Sequence, residues 1–420
     1  MAFAALAAAI VTSPRAFVFD ERLYIEYLEL LHDHGPGWVF LESLTGATGP
    51  LYAFVHAAFE PLTGLDPVGM RLVNFALLLA VAGLLAMTLR RQGSGDALLA
   101  SGAILILPVT WVLGGMALTS MPALVLLVLS LHLQLRGIEA IEQGERGFSW
   151  FVASGALLGA AVWGRQTAVI LAVAPLIVAL ADRRVLMPAL ALAAVAAAMA
   201  LPLAIAWGGP VPPEESIEPG FSPADGVGAF GYLAVCFALL TARLDWLLQK
   251  SALMLAIAIA VANGALGLLM VWPLASLADD YLSERAMTFY GFVCGSLLLW
   301  LGAAFAVWVI TVTWQARGNL RTVAVNSGML CASVTPMFIA HSFSSRYLDI
   351  ALPCLILAAQ PWRRPGGAAT VAALAGCSLG LASLLSFYWN TMTSDQVRTH
   401  RQVSGASAVE RTAPEAGFSP

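Results

Sequence analysis

Charge is what this 420-residue chain lacks most: only 11% of its residues are Asp, Glu, Lys or Arg. Soluble domains carry roughly 25%, so a water-soluble globule is excluded at the outset. The net charge of −4 says little, because in such a chain the placement of charge matters more than its sum. Cysteine is also sparse. Cys236, Cys294, Cys331, Cys354 and Cys377 all sit in apolar stretches without C-x-x-C spacing. They read as small buried hydrophobes, with no disulfide framework or thiolate metal site implied. No G-x-x-x-x-G-K-[ST] loop occurs, and no polar stretch is long enough for a nucleotide-binding domain, so direct use of ATP is not expected. Met1 to Ile10 lacks the basic n-region of a secretory signal. No internal repeat of the kind built into many transporters is visible.

What is there is apolar: 60% hydrophobic residues and a mean hydropathy of +0.82. A membrane span needs about 20 apolar residues. By that measure the first runs from Met1 to about Phe19, and others lie near 70–89, 97–113, 117–135, 148–163, 166–181 and 185–206. Further spans follow near 227–242, 252–274, 287–313, 322–340, 347–360 and 367–389. The expectation is an all-α polytopic membrane protein with about 11–13 transmembrane helices, folded as a single domain over 1–389. The Ser/Thr-rich and charged tail, 390–420, is expected to be disordered.

Arg90-Arg91, Arg136 with Arg146, Arg183-Arg184, Arg243 with Lys250, Arg317 with Arg321, and Arg363-Arg364 occupy alternate loops. They hold 12 of the 21 basic residues and by the positive-inside rule face the cytoplasm. The loops over 20–66 and 207–226 then face outward. The first carries eight acids (Asp20, Glu21, Glu26, Glu29, Asp33, Glu42, Glu60 and Asp66) against one base, Arg22. The expected location is a cytoplasmic (inner) membrane, or the endoplasmic reticulum with this loop in the lumen if the source is eukaryotic.

That loop is the place to look for chemistry. Asp20-Glu21 stands where the apolar N-terminus first turns polar, and carboxylates at a membrane boundary are costly to desolvate. Residues 22–33 put Leu23, Tyr27, Leu30 and Leu31 on one face of an interfacial helix. His34-Gly35-Pro36-Gly37 ends it. Thr45 to Pro50 forms a second breaker, with Pro50 placed to start another helix. Arg165 lies on an outward turn between apolar spans, where the positive-inside rule disfavours it, and is a phosphate-ligand candidate. Gln166 and Thr167 beside it can hydrogen-bond a sugar or phosphate. Arg346 opens a span on the same side and is a second phosphate candidate; Arg285 is a weaker one. His341 is a further possible contact. His32 and His34 flank Asp33, but without a D-x-D motif no metal and no other cofactor is expected.

Three pieces in order, Asp20-Glu21, Thr48-Gly49-Pro50-Leu51-Tyr52 and Arg71-Leu72-Val73-Asn74, resemble the GT-C glycosyltransferases. Within that class the chain is most similar to the dolichyl-phosphate-glucose α-1,2-glucosyltransferases. Trp163-Gly164-Arg165-Gln166-Thr167 resembles that family's aromatic-x-R-Q-T-N segment, with Ala168 in place of Asn. Trp207-Gly208-Gly209-Pro210 resembles its V-N-G-G-I segment with the Asn lost, and Ser345-Arg346-Tyr347 resembles the R-Y opening of a late span. The resemblance implies a GT-C fold and transfer of a hexose, glucose favoured, from a polyprenyl-phosphate donor to a hydroxyl of a lipid-linked or glycan acceptor, with inversion. It makes 20–66 the catalytic loop, Asp20 or Glu21 the base, Arg165 and Arg346 the donor-phosphate ligands, and Gln166, Thr167, Tyr52 and His341 substrate contacts. Membrane lipids are the other partners; nucleic acid is not one. Two rivals stay open: a lipid or solute transporter of similar topology, and a GT-C enzyme for another sugar such as mannose or arabinose.

Overall fold

The computed structural model describes residues 1–46, 48–93, 96–212, 221–242, 244, 247, 250–271, 282–338, 345–360 and 366–390. The described elements are helices. They begin with α1 (Ala2–Val11), α2 (Glu21–His34), α3 (Trp38–Ser43), α4 (Leu51–Thr63), α5 (Pro67–Arg91), α6 (Ala97–Gly102) and α7 (Pro108–Gly115). Next come α8 (Ser120–Glu142), α9 (Phe148–Val162), α10 (Ala174–Ala181), α11 (Leu186–Trp207), α12 (Pro223–Thr241) and α13 (Lys250–Leu266). The last are α14 (Glu284–Gln315), α15 (Leu320–Val334), α16 (Leu352–Ala359) and α17 (Gly367–Asn390). The protein is an all-α polytopic membrane protein. Six helices among the described residues are long and apolar enough to cross a membrane, seven with one bent pair, and five shorter apolar helices accompany them.

The elements depart from the expected spans in several places. The first helix stops at Val11, because Pro14 disfavours helical backbone at Ser13 and Thr12 turns its hydroxyl back to Ala8 O at 2.9 Å. The 97–113 span is broken at Leu107-Pro108 into two pieces bent by 86°, since a proline there removes an amide and its ring excludes the preceding turn. The 166–181 span begins as a 3₁₀ helix, Gln166–Val173. In α2 the inward residues are Glu21, Tyr27, Leu28 and Leu31; Leu23 is exposed, so the buried stripe is rotated from the one its apolar residues outline. Residues 391–420, with the tail, lie outside the described residues.

Helices meet at small residues, as they do where lipid supplies no hydrophobic drive. A Cβ on Gly302 of α14 would overlap the Val227 carbonyl of α12, and one on Gly231 of α12 would overlap that of Leu298. Ser130 and Ser154 cross-link α8 and α9 by donating to each other's carbonyls at 2.9 and 2.8 Å. The loops that carry Arg91, Arg136, Arg184 and Arg321 gather at one end of the bundle. Arg321 reaches Glu139 and Glu142 at 3.6 and 3.4 Å, and Arg184 donates to Ile141 O at 3.3 Å. Helices α2–α4 lie at the other end, because Arg71 and Arg91 sit at opposite ends of α5.

The tight seam between α12 and α14 gives a test. Gly302→Val is expected to destabilise by about 2 kcal/mol or more, since overpacking forces backbone apart. Gly83→Ala in α5, where a Cβ meets nothing within 4 Å, should be neutral or stabilise by about 0.5–1 kcal/mol. Thermal denaturation of both variants in one detergent measures the contrast.

Candidate active site

Two adjacent acids open α2, and the helix sends them in different directions. Glu21 is fully buried. Its Oε1 accepts from Arg71 Nε at 2.9 Å and from the Ala117 amide at 2.8 Å. Its Oε2 accepts from Arg71 Nη2 at 2.6 Å and from the Val18 amide at 2.8 Å. Arg71, also fully buried, donates its remaining N–H groups to Ser13 Oγ (2.8 Å), Pro14 O (2.6 Å) and Ala16 O (2.9 Å). Its guanidinium lies 5.0 Å from the ring centre of Tyr388, whose hydroxyl donates to Gly115 O. Four carboxylate lone pairs and five guanidinium donors are thus all matched. Only such matching offsets the cost of taking two charges out of water.

Asp20, one residue earlier, is half-buried and makes no capping hydrogen bond to the first amides of α2. Phe19 before it holds φ at +52°, a left-handed conformation that is rare for a bulky side chain. Its ring packs 5.2 Å from that of Phe387. Asp20 and Tyr24 are four residues apart and share one face of α2. Tyr24 lies within electrostatic reach of Arg165, and its ring centre is 5.4 Å from that of Tyr52. The face of α2 that bears Asp20 thus also bears a residue within reach of Arg165.

Arg165 follows α9 and donates from Nε and Nη2 to Asp349 Oδ2 at 2.9 and 2.8 Å, and from Nη2 to Ser120 Oγ at 2.8 Å. Asp349 is buried and takes the Ile350 amide on its other oxygen at 2.7 Å. Gln166 and Thr167 are half-buried at the start of the 3₁₀ helix. The segment Trp163–Arg165 is docked on α4: the Leu51 amide donates to Trp163 O at 3.0 Å. Gly49 is needed there, because a Cβ would overlap that carbonyl. Asn74 donates from Nδ2 to Met116 O and Leu118 O at 2.7 and 2.8 Å. Trp207 donates to Leu41 O at 2.8 Å. All the segments read from 1–212 thus converge on one region. Arg346 lies on the 3₁₀ helix Ser345–Ala351, with its side chain outside the described residues. His341 is outside them altogether. His32 sits at the surface, 2.8 Å from Glu60.

Three groups here are not singled out by the sequence. Asp349 has a faint signal, an acid opening an apolar span. Ser120 has none. The third, His56, is buried one turn beyond Tyr52, with ring centres 4.1 Å apart. Neither ring nitrogen of His56, nor the Tyr52 hydroxyl, nor Asn74 Oδ1, has a hydrogen-bond partner among the described residues. Burial, and then the charge of Glu21, push the Tyr52 hydroxyl well above its usual range, so it stays protonated. Burial lowers His56 to about 4; the amide of Asn74 is near enough to offset part of this without hydrogen-bond geometry.

Two outcomes follow from this geometry. Glu21→Ala leaves a buried guanidinium uncompensated and is expected to cost about 3–5 kcal/mol, whereas Glu21→Leu combined with Arg71→Met recovers most of that loss. Denaturation midpoints of the single and paired variants in detergent report it. His56 takes up a proton more readily unfolded (near 6.5) than folded (about 4). Its contribution is intact above pH 6.5 and is lost as pH falls toward 4, by about 3 kcal/mol in all. Stability measured across that window should fall more steeply for the native chain than for His56→Gln.

Residues 47–207 match the family model described as dolichyl-phosphate-mannose-protein mannosyltransferase. No curated protein matches the chain. Among solved structures, ArnT from Cupriavidus metallidurans in the apo state is 17% identical, with 92% of this chain and 76% of that chain covered and a TM-score of 0.42. The same protein bound to undecaprenyl phosphate is 18% identical, with 90% and 76% covered and a TM-score of 0.44.

Proposed function

We propose that this protein is a GT-C-type membrane glycosyltransferase. It moves a hexose from a polyprenyl-phosphate carrier to a hydroxyl acceptor, with inversion and with Asp20 as the general base. The observation that carries the assignment is the division of labour in the acidic pair. Glu21 has no lone pair left for an acceptor proton, because Arg71, Val18 and Ala117 occupy them all. Asp20 makes no capping hydrogen bond and shares a face of α2 with Tyr24, which lies within electrostatic reach of Arg165. The match of residues 47–207 to a family named for a dolichyl-phosphate sugar donor supports the carrier class. That name favours mannose and the motif order in the first loop favours glucose; a hexose is common to both.

The chemistry is a single displacement. The acceptor hydroxyl gives its proton to the Asp20 carboxylate as its oxygen bonds to the anomeric carbon. The bond from that carbon to the phosphate oxygen breaks, and the polyprenyl phosphate leaves with the electron pair. A phosphate leaves without a general acid, provided cationic and hydrogen-bonding groups receive its charge. Arg165 supplies the cation, with Asp349 and Ser120 fixing its plane. Tyr52, held protonated, adds a donor. Attack and departure on opposite faces of the sugar give inversion.

Transfer assays with purified protein, a polyprenyl-phosphate hexose and a lipid-linked acceptor test the assignment. Asp20→Asn is expected to lower kcat by at least about 10²-fold, the usual worth of a positioned base, with an unchanged denaturation midpoint. Arg165→Lys, which keeps the charge but loses the planar fork, should raise KM for the donor about tenfold. Full activity of Asp20→Asn removes the base assignment. Movement of the lipid across vesicles without product would assign the protein to transport instead.

A further inference from the structure

The end of the bundle remote from Asp20 carries a second built cavity. It has a volume of about 280 Å³ and lies between the C-terminal end of α5, the N-terminal end of α15 and the last turn of α16. Arg71 and Gln92 stand at opposite ends of α5, 21 residues apart, which at 1.5 Å per residue is about 30 Å. The cavity is therefore no part of the site described above. Its polar wall is formed by Gln92, Asn319, Arg321, Thr322 and Asn326, and its apolar wall includes Trp308, Val312 and Leu357.

Several features of this wall point to a ligand. Asn326 is only 6% exposed, and its amide has no hydrogen-bond partner among the described residues although it lines the cavity. Gln92 Oε1, an acceptor, is buried and has no hydrogen-bond partner among the described residues. A buried polar atom left without a partner is rare and costly, and marks a place where something else binds. Among the described residues Arg321 is the charged residue of the wall, and no acid lines it. Glu139 and Glu142, 3.6 and 3.4 Å from Arg321, lie outside that wall. A smaller adjoining cavity shares Gln92 and Arg321 and adds two cations, Arg91 and Arg136, and one acid, Glu139. The first turn of α15, a 15-residue helix, also opens here; Asn319 Oδ1 caps the Thr322 amide at 3.1 Å, which leaves the Leu320 and Arg321 amides at its positive end. Cation, amide donors and helix terminus together match an anion with several acceptor oxygens. The apolar wall matches a hydrocarbon portion beside it.

We propose that this cavity is a binding site for a phosphate-bearing anion, with Arg321 and the first turn of α15 receiving the phosphate, the Asn326 amide another of its oxygens, and Gln92 Oε1 accepting from a hydroxyl of the ligand. The phosphate belongs either to the headgroup of an anionic membrane lipid or to a soluble phosphate compound; the chemistry of recognition is the same.

The test uses the full chain in detergent. Native mass spectrometry with dioleoylphosphatidylglycerol, against dioleoylphosphatidylcholine, reports the lipid source, and titration calorimetry with inorganic phosphate reports the soluble one. The native protein is expected to bind at least one of the two anions. Arg321→Ala and Asn326→Leu should each weaken that binding about tenfold or more, the worth of a charge-assisted hydrogen bond or of a filled cavity. Arg321 is partly exposed, so its variant is expected to fold as the native chain does. Glu142→Gln removes one acid from Arg321 and should leave binding at or above the native level. Binding of the phosphatidylglycerol alone assigns the lipid source, and of inorganic phosphate alone the soluble source. The proposal is overturned if neither anion binds, if Arg321→Ala and Asn326→Leu bind as the native chain does, or if Glu142→Gln loses binding as Arg321→Ala does.

Discussion

The fully matched ion pair between Glu21 and Arg71 is the constraint around which the α2–α4 end of this protein is arranged. It ties the first turn of α2 to the second turn of α5, fixes the chain between Ser13 and Val18, and reaches the Ala117 amide between α7 and α8. A pair so deeply buried yields little net stabilisation compared with apolar packing. Its worth is directional: α2 has one permitted orientation, which settles where Asp20 and Tyr24 face. Asn74, one turn beyond Arg71, holds the Met116–Leu118 backbone from the other side. The short extended stretch between α7 and α8 is thus gripped by side chains of one helix.

Around that grip the site is assembled from distant parts of the chain, mainly through backbone contacts. Gly49 and Leu51 lean on the Trp163 carbonyl, Trp207 on the Leu41 carbonyl, and Arg165 on Asp349, 184 residues away. The segment 20–66 is not a flap laid over a finished bundle. It is wedged among helix ends, with Phe40, Leu44 and Tyr52 fully buried. Tyr52 and His56 carry polar atoms into that packing without partners, a cost tolerated where a bound group or water completes them.

Much of this was legible in the amino-acid order, and the limits are physical. Long apolar runs reveal spans because a bilayer imposes one length on all of them, and α5, α8, α11 and α17 lie close to where hydropathy puts them. Pro108 marks the break in 97–113, but an 86° bend depends on what α7 packs against, which the local sequence does not contain. The acidic pair stands out by its position at an apolar boundary. Which acid turns inward does not, since adjacent residues differ only by a rotation about α2, and that rotation is set by an arginine 50 residues further on. Arg71 and Asn74 were visible only as pieces of a resembling motif; their work is structural. Asp349 and Ser120 were missed because a lone acid or serine in an apolar stretch has no partner until the chain is folded. The stripe of α2 was misread for a related reason: Glu21 belongs to its buried side, and a charged residue does not look like core.

The wall of matched donors around Glu21 also constrains how such a sequence can diverge. A change at position 21 alone strands a guanidinium, and a change at position 71 alone strands a carboxylate, so the two sites are free to drift only as a couple. Position 20 stands outside that ion pair and, under the proposed chemistry, answers to the acceptor. Neighbours in sequence, these two acids would then keep different evolutionary company: one covarying with Arg71, the other with the substrate.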